Sequence, residues 1–327
     1  MYEERKKIYS FIEKARNTKV IAYVTGDRKN LETQIGDEVP DIFIEHLDAI
    51  GNVKKMSLLL YTRGGDTLAA WSIVNLIREY CEELEIIVPN KCRSAGTLIS
   101  LGANNIVMTK HATLGPIDPS IVREMSPIIP NSNPPRPLPI SVESVKGYVK
   151  LLKEEFGVVD EKSISDAYIK LVEKIHPVVL GDVYRIQKQI QMLAKKLLQK
   201  ANYSEVIIDK IIRFLCTESG SHNYTINYTE AKDLGLNVEK PSNEINNELK
   251  KWYNDVSDEL ELKKPYEPIN ELKDKTEFEY SFKRCLIESI DCGQDIFISE
   301  GKLKKVNQQN LLMINDDKNF EGWRHTC

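Results

Sequence analysis

From residue 19 the chain alternates short, almost wholly apolar runs with longer segments whose apolar positions recur every three or four residues. KVIAYVT, KMSLLLYT, EIIVPN and NIVMT are of the first kind; VPDIFIEHLDAIG, TLAAWSIVNLIREYC and AGTLISLGA are of the second. A short Ile/Val/Leu run without polar alternation fits a strand buried on both faces, and the amphipathic segments fit helices that cover it. The succession of strand and helix predicts βα units around a mostly parallel sheet, an α/β fold.

At residue 115 the pattern changes. GPIDPSIVREMSPIIPNSNPPRPLPI, residues 115 to 140, is dense in proline, which removes backbone donors and predicts an extended loop serving as a lid or a linker. Residues 141 to 217 return to helical spacing in VKGYVKLLKEEFG, AYIKLVEKI and VYRIQKQIQMLAKKLLQKA, and predict a helical arm. A turn-rich stretch and a charged helix follow. After Pro265 the composition shifts to strand-like runs such as FEYSFKRCLIESID and DIFISEGKLKKV. That shift predicts a boundary near residue 262, with a main domain over 1 to 262 and a C-terminal extension, without an assigned role, over 263 to 327.

A chain of 327 residues buries a full core. Its net charge of −4 and the lack of a basic cluster argue against nucleic acid as a partner. The charged N-terminal stretch MYEERKKIYSFIEKARN, and the absence of any long apolar window, predict a cytoplasmic protein without an integral membrane segment. Six scattered cysteines, without CxxC pairs or a histidine at zinc spacing, predict reduced thiols and no metal site.

Two strand-to-helix turns carry the candidate chemistry. In YTRGGDTLAA, residues 61 to 70, Gly64 and Gly65 follow a buried strand, where backbone N–H groups can approach a ligand at a helix N-terminus. In KCRSAGTLISLGA, residues 91 to 103, Ser94 precedes the small residues Ala95 and Gly96. A serine there has two uses: its oxygen can cap the helix, or its hydroxyl can act as a nucleophile. With the turns side by side, the N–H groups of Gly65 and Ala95 would form an oxyanion hole. Asp118, in GPIDPS, reads as a turn former or a residue orienting the lid. His46 and His325 read as surface positions, and His176 as structural.

As an ordered set, these motifs resemble the serine dehydrogenase proteinase family, within the signal peptide peptidase-like branch of the Clp protease/crotonase fold. The resemblance rests on IAYVTGDR, LLLYTRGG, VPNKCRSAGTLISLGANNIVM and LGPIDPS, with HPVVLGDVYR and SHNYTINYTEAKDLGL further on, and covers roughly residues 15 to 240. It implies a serine endopeptidase acting on a peptide or protein without ATP, metal or organic cofactor, assembled as a trimer-based or ring homo-oligomer.

Where Clp-type peptidases carry a catalytic histidine this chain has Leu114-Gly115-Pro116-Ile117, and His111 falls too early. The signal peptide peptidase pattern implies instead a lysine base, and Lys146 stands 52 positions after Ser94 in a matching context. Val142, Val145 and Val149, under the proline-rich lid, are expected to bury its amine. His222, which opens the SHNYTI motif, is the alternative base or a substrate contact. Two other readings stand beside the peptidase: a crotonase-type acyl-CoA enzyme, which lacks its paired acidic residues here, and a non-catalytic partner-binding protein of the same fold.

Overall fold

The computed structural model describes residues 1–117, 120–132, 134–308 and 311–326. The chain forms two compact units, the first made of residues 1–115, 200–202 and 225–327 and the second of residues 116–199 and 203–224.

The first unit opens with α1 (Tyr2–Arg16), β1 (Lys19–Thr25), α2 (Val39–Ile50), β2 (Val53–Tyr61), α3 (Thr67–Glu79) and β3 (Cys81–Val88). The short β4 (Lys91–Cys92), α4 (Ala95–Leu101), β5 (Asn105–Met108) and β6 (Thr113–Leu114) follow. Strands β1, β2, β3 and β5 are parallel neighbours in that order. Their apolar runs are buried on both faces. On one face Val20, Ala22, Leu59, Ile87 and Val107 pack with Tyr9 and Ile12 of α1. The other face holds Tyr23, whose ring meets Phe43 of α2 edge-on at 5.6 Å.

In the second unit, β7 (Ser120–Ile121) and β8 (Ile140–Ser141) pair antiparallel around the proline-dense segment. That segment is an irregular hairpin and not a free loop: Ile129 N–H donates to Arg136 O at 2.8 Å, and Leu138 N–H to Pro127 O at 2.6 Å. The expected helical arm follows as α5 (Val142–Lys150), α6 (Glu161–Val172), α7 (Pro177–Lys200) and α8 (Glu205–Arg213), with single π-helical turns after α5 and α8. Ile140, Val142, Val179 and Val183 form its small core.

The chain then completes the first unit. α9 (Tyr228–Leu234) leads to β9 (Val238–Glu239), which adds to β5, and α10 (Asn243–Glu259) lies with α1 over the sheet. After α11 (Pro268–Leu272) come β10 (Glu277–Ser289), β11 (Gly293–Gln308) and β12 (Leu311–Thr326). The strands expected in the tail are therefore present, but the boundary near 262 separates nothing. β10 pairs antiparallel with β1, Tyr23 opposite Ile287 and Val24 opposite Leu286, and the mixed eight-stranded sheet runs β12-β11-β10-β1-β2-β3-β5-β9. The composition shift marks the end of α10, and the division into units falls instead at residues 115 and 225.

Candidate active site

The two glycine-bearing turns meet because β2 runs on past its end. Thr62 N–H donates to Lys91 O at 2.9 Å and Arg93 N–H to Thr62 O at 3.1 Å, which lays the exit of β2 beside β4. Thr62 Oγ1 accepts from Thr25 Oγ1 at 2.7 Å and from the Gly64 N–H at 3.0 Å, fixing the start of the turn. A Cβ on Gly64 would stand 2.7 Å from Ser94 Cβ, so the glycine leaves room for that side chain. Gly96 does the same for Thr62, whose Cγ2 would lie 2.4 Å from an added Cβ.

Ser94 has φ 52° and ψ −117°, a conformation that costs a non-glycine residue about 1–3 kcal/mol. It stands at the N-cap position of α4, yet its side chain caps nothing. Half-buried, its hydroxyl makes no hydrogen bond among the described residues of its unit. Of the helix's leading amides, Gly96 donates to Arg93 O at 2.9 Å and Leu98 to Ser94 O at 3.1 Å, while the Ala95 N–H remains unspent among the described residues.

Gly65, with φ 150°, bridges Ile35: Ile35 N–H donates to Gly64 O at 3.0 Å and Asp66 N–H to Ile35 O at 2.8 Å. In that parallel pattern the N–H of Gly65 points away from Ile35, and it donates no bond among the described residues. An added Cβ would meet Ile35 N and O at 2.4 Å, so only glycine fits. The helix dipole is a different matter. Asp66 caps α3, accepting from Leu68 N–H at 2.8 Å and Ala69 N–H at 2.7 Å, so this chain's own carboxylate fills the N-terminus expected to favour an anion.

Two neighbours of Ser94 went unnoticed in the sequence. Arg93 has a buried Nε without a hydrogen-bond partner among the described residues, and its only signal is adjacency to the serine. Buried Thr97 donates to Cys92 O at 3.1 Å and accepts from Gly115 N–H at 3.0 Å, tying α4 to the segment after β6. Cys92, two positions before Ser94, is no rival nucleophile: burial pushes its thiol up to about 12 against an opposing bond from Ser100.

Lys146 belongs to the second unit. Ser141 caps its helix by accepting from Ser144 N–H at 3.1 Å. The Lys146 amine donates to Glu143 Oε1 at 3.1 Å and Gln187 Oε1 at 3.4 Å, and its side chain is 41% exposed. The apolar enclosure expected for it is therefore not formed: Val142 turns to the core of the unit, and the amine lies among polar partners. His222 is exposed in a turn of the same unit, where Tyr224 N–H donates to Ser221 O at 3.0 Å. Asp118 lies outside the described residues.

Of the two histidines expected at the surface, His325 is exposed and His46 is not. His46 is fully buried, with Nδ1 2.7 Å from Ser289 Oγ and Nε2 3.1 Å from Asp295 Oδ2, because its face of α2 packs on β10 and β11. His325 Nδ1 lies 3.0 Å from the same carboxylate oxygen. Among the described residues, Glu45, Asp295 and His325 are the group that could hold a metal ion, with ligand atoms within 4.8 Å of one another. Asp295 already serves both imidazoles, which makes it a polar tie between α2 and the tail strands.

A mixed α/β fold with a strained serine at a strand-to-helix turn is the class that these features define. Over residues 1–132, which hold both turns and end before Lys146, the chain matches the family model of the ClpP-like SDH-type serine proteinases. It is 29% identical over 187 residues to an uncharacterized protein of Methanocaldococcus jannaschii, MJ0137, covering 57% of this chain and 54% of that one. A second uncharacterized protein of that organism, MJ1495, is 26% identical over 238 residues, 69% of this chain and 68% of the other. The match thus spans about half the length of the first relative. Among solved structures, a variant of the 1510-N membrane-bound stomatin-specific protease superposes over 71% of this chain and 85% of that one, at 18% identity and a TM-score of 0.41. ClpP1 from Listeria monocytogenes covers 72% and 99%, at 15% identity and a TM-score of 0.37. These superpositions assign no role to any residue.

Proposed function

We propose that the chain is a serine endopeptidase in which Ser94 is the nucleophile and Lys146 its general base. The Lys146 amine accepts the hydroxyl proton as Ser94 Oγ bonds to the peptide carbonyl carbon. The Gly65 and Ala95 amides receive the resulting oxyanion. As the tetrahedral intermediate collapses, the peptide C–N bond breaks and the leaving nitrogen takes the proton from Lys146. Water, deprotonated by the same amine, then cleaves the acyl-enzyme ester and restores Ser94. Gly64 and Gly96 keep the turn open, while Asp118 and His222 serve the substrate side.

The observation that carries this reading is the strained Ser94, whose hydroxyl, like the N–H groups of Gly65 and Ala95, makes no hydrogen bond among the described residues. An amine must be neutral to accept a proton, and a free lysine titrates near about 10.4. Lys146 therefore has to leave Glu143 and Gln187 and be enclosed when substrate binds. The reaction uses water as its only co-substrate and consumes no ATP. We assign the activity to the cytoplasm and to a homo-oligomer acting on peptides or proteins; among the described residues no helix is long and apolar enough to cross a membrane.

Labelling with a fluorophosphonate probe, alongside hydrolysis of a fluorogenic peptide library, tests the assignment. Ser94→Ala should lose both signals and Lys146→Ala should lose turnover with an unchanged melting temperature. Glu143→Ala, which frees the amine, should raise kcat. Labelling that persists in Ser94→Ala would remove the nucleophile, and turnover that persists in Lys146→Ala would remove the base.

A further inference from the structure

A concavity of about 310 Å³ lies in the first unit where β3 and β5 end and α10 passes over them. Its size is at the lower end for small-ligand sites, and the carboxyl ends of parallel strands are where α/β sheets usually place ligands. The floor is built by bonds between the two strand exits. Thr109 Oγ1 donates to Pro89 O at 2.8 Å, His111 N–H to Thr109 Oγ1 at 3.2 Å, and Thr113 N–H to Asn90 O at 2.6 Å.

The charge of the lining is one-sided. Lys110, His111 and Lys250 face the cavity together with four asparagines, and no carboxylate is among the lining residues. In a chain with 49 acidic and 45 basic residues, a concavity without a single acid departs from the surface average. Nor is this charge spent internally. Among the described residues neither lysine makes an ion pair and neither Asn90 nor Asn246 donates a side-chain hydrogen bond, whereas adjacent Lys251 pairs with Glu248 at 2.6 Å.

We infer that this cavity binds a small phosphate-bearing molecule. Unpaired ammonium groups beside amide donors satisfy a phosphate, whose oxygens accept bonds from many directions; a planar carboxylate is matched better by the guanidinium fork, and the lining has no arginine. Asn90 leads directly into β4, which ends at Cys92 two residues before Ser94, so an anion held there braces the same segment as the candidate nucleophile. The inference stands on the cavity alone and does not need Ser94 to be catalytic.

Melting curves of the full chain, titrated separately with sodium phosphate, AMP and glycerol 3-phosphate against sodium chloride at matched ionic strength, test this. A specific ligand raises the melting temperature saturably. The expected result is such a rise with at least one phosphate compound and none with chloride. Lys110→Gln/Lys250→Gln should weaken the titration midpoint tenfold or more while melting like the wild type without ligand. The compound that saturates at the lowest concentration distinguishes free orthophosphate from an organic ester. The inference is overturned if none of the three gives a saturable rise, or if the rise is undiminished in the double variant.

Discussion

Gly64 faces Ser94 so closely that a methyl group on its Cα would lie 2.7 Å from the serine Cβ and 3.1 Å from its Oγ. The turn after β2 therefore shapes the space in which the hydroxyl moves. Gly64→Ala should cut fluorophosphonate labelling by about a hundredfold, the scale of an ångström-sized misplacement of a reacting group. The positive φ of 113° adds backbone strain, so the melting temperature should fall as well. Full labelling of this variant would show that the two turns do not constrain each other.

The conformation of Ser94 separates stability from activity at a single position. At φ 52° and ψ −117° glycine is at ease and alanine is not. Ser94→Gly and Ser94→Ala should both be inactive, with the glycine variant more stable than the alanine variant by about 1–3 kcal/mol. Urea denaturation of the pair measures this. An alanine variant as stable as the glycine one would mean that the turn is not strained.

Much of this site is written locally, and some of it is not. The strands were legible because each is a continuous apolar run, and the two turns because glycine and small residues punctuate those runs. Ser94 followed by Ala95-Gly96 looks like a cap from the sequence, since nothing local announces a positive φ. The surroundings of Lys146 depend on Gln187, 41 positions away and on another helix. His46 was legible and overlooked: it falls three residues after Phe43 and one before Leu47, on the buried stripe of α2. The place of the tail was not legible, because a strand's own pattern does not name its partner. FEYSFKRCLIESID reads as a strand, and only the fold sets it beside β1.

Glu85 on β3 ties the far end of the sheet together and makes it sensitive to acid. Its carboxylate is buried, which by itself raises its pKa, but bonds from Arg16 at 2.6 Å and Lys55 at 2.9 Å outweigh burial and hold it below the ordinary 4.5. The unfolded chain therefore takes up this proton first as pH falls. The stability Glu85 contributes is complete above about pH 5 and is lost as pH drops through the folded value. Glu85→Gln should be destabilised at pH 7 and progressively less so, relative to wild type, below pH 4. A destabilisation of the same size at both pH values, by urea midpoint, would assign the effect to packing.

The tail is held by a buried ion pair, which predicts that it cannot be removed as a separate piece. Arg5 on α1 and Glu288 on β10 are both fully buried, joined through Arg5 Nε at 2.9 Å and backed by Tyr9, whose hydroxyl donates to Glu288 and accepts from Trp252 Nε1 at 2.9 Å. Removing Glu288 takes the buried acceptor from Tyr9 and Gln294 and leaves Arg5, itself fully buried, to Asp255 and Glu259. Glu288→Ala should therefore cost about 3–5 kcal/mol, while Arg5→Met/Glu288→Met, which removes both charges, should recover part of the loss. Ending the chain at residue 262 does more, because it strips the neighbour of β1 and exposes one edge of that strand together with the face under Leu286. The 1–262 fragment should be insoluble or lack a cooperative melting transition. A soluble fragment that melts cooperatively near the temperature of the whole chain would instead make residues 263–327 an independent extension.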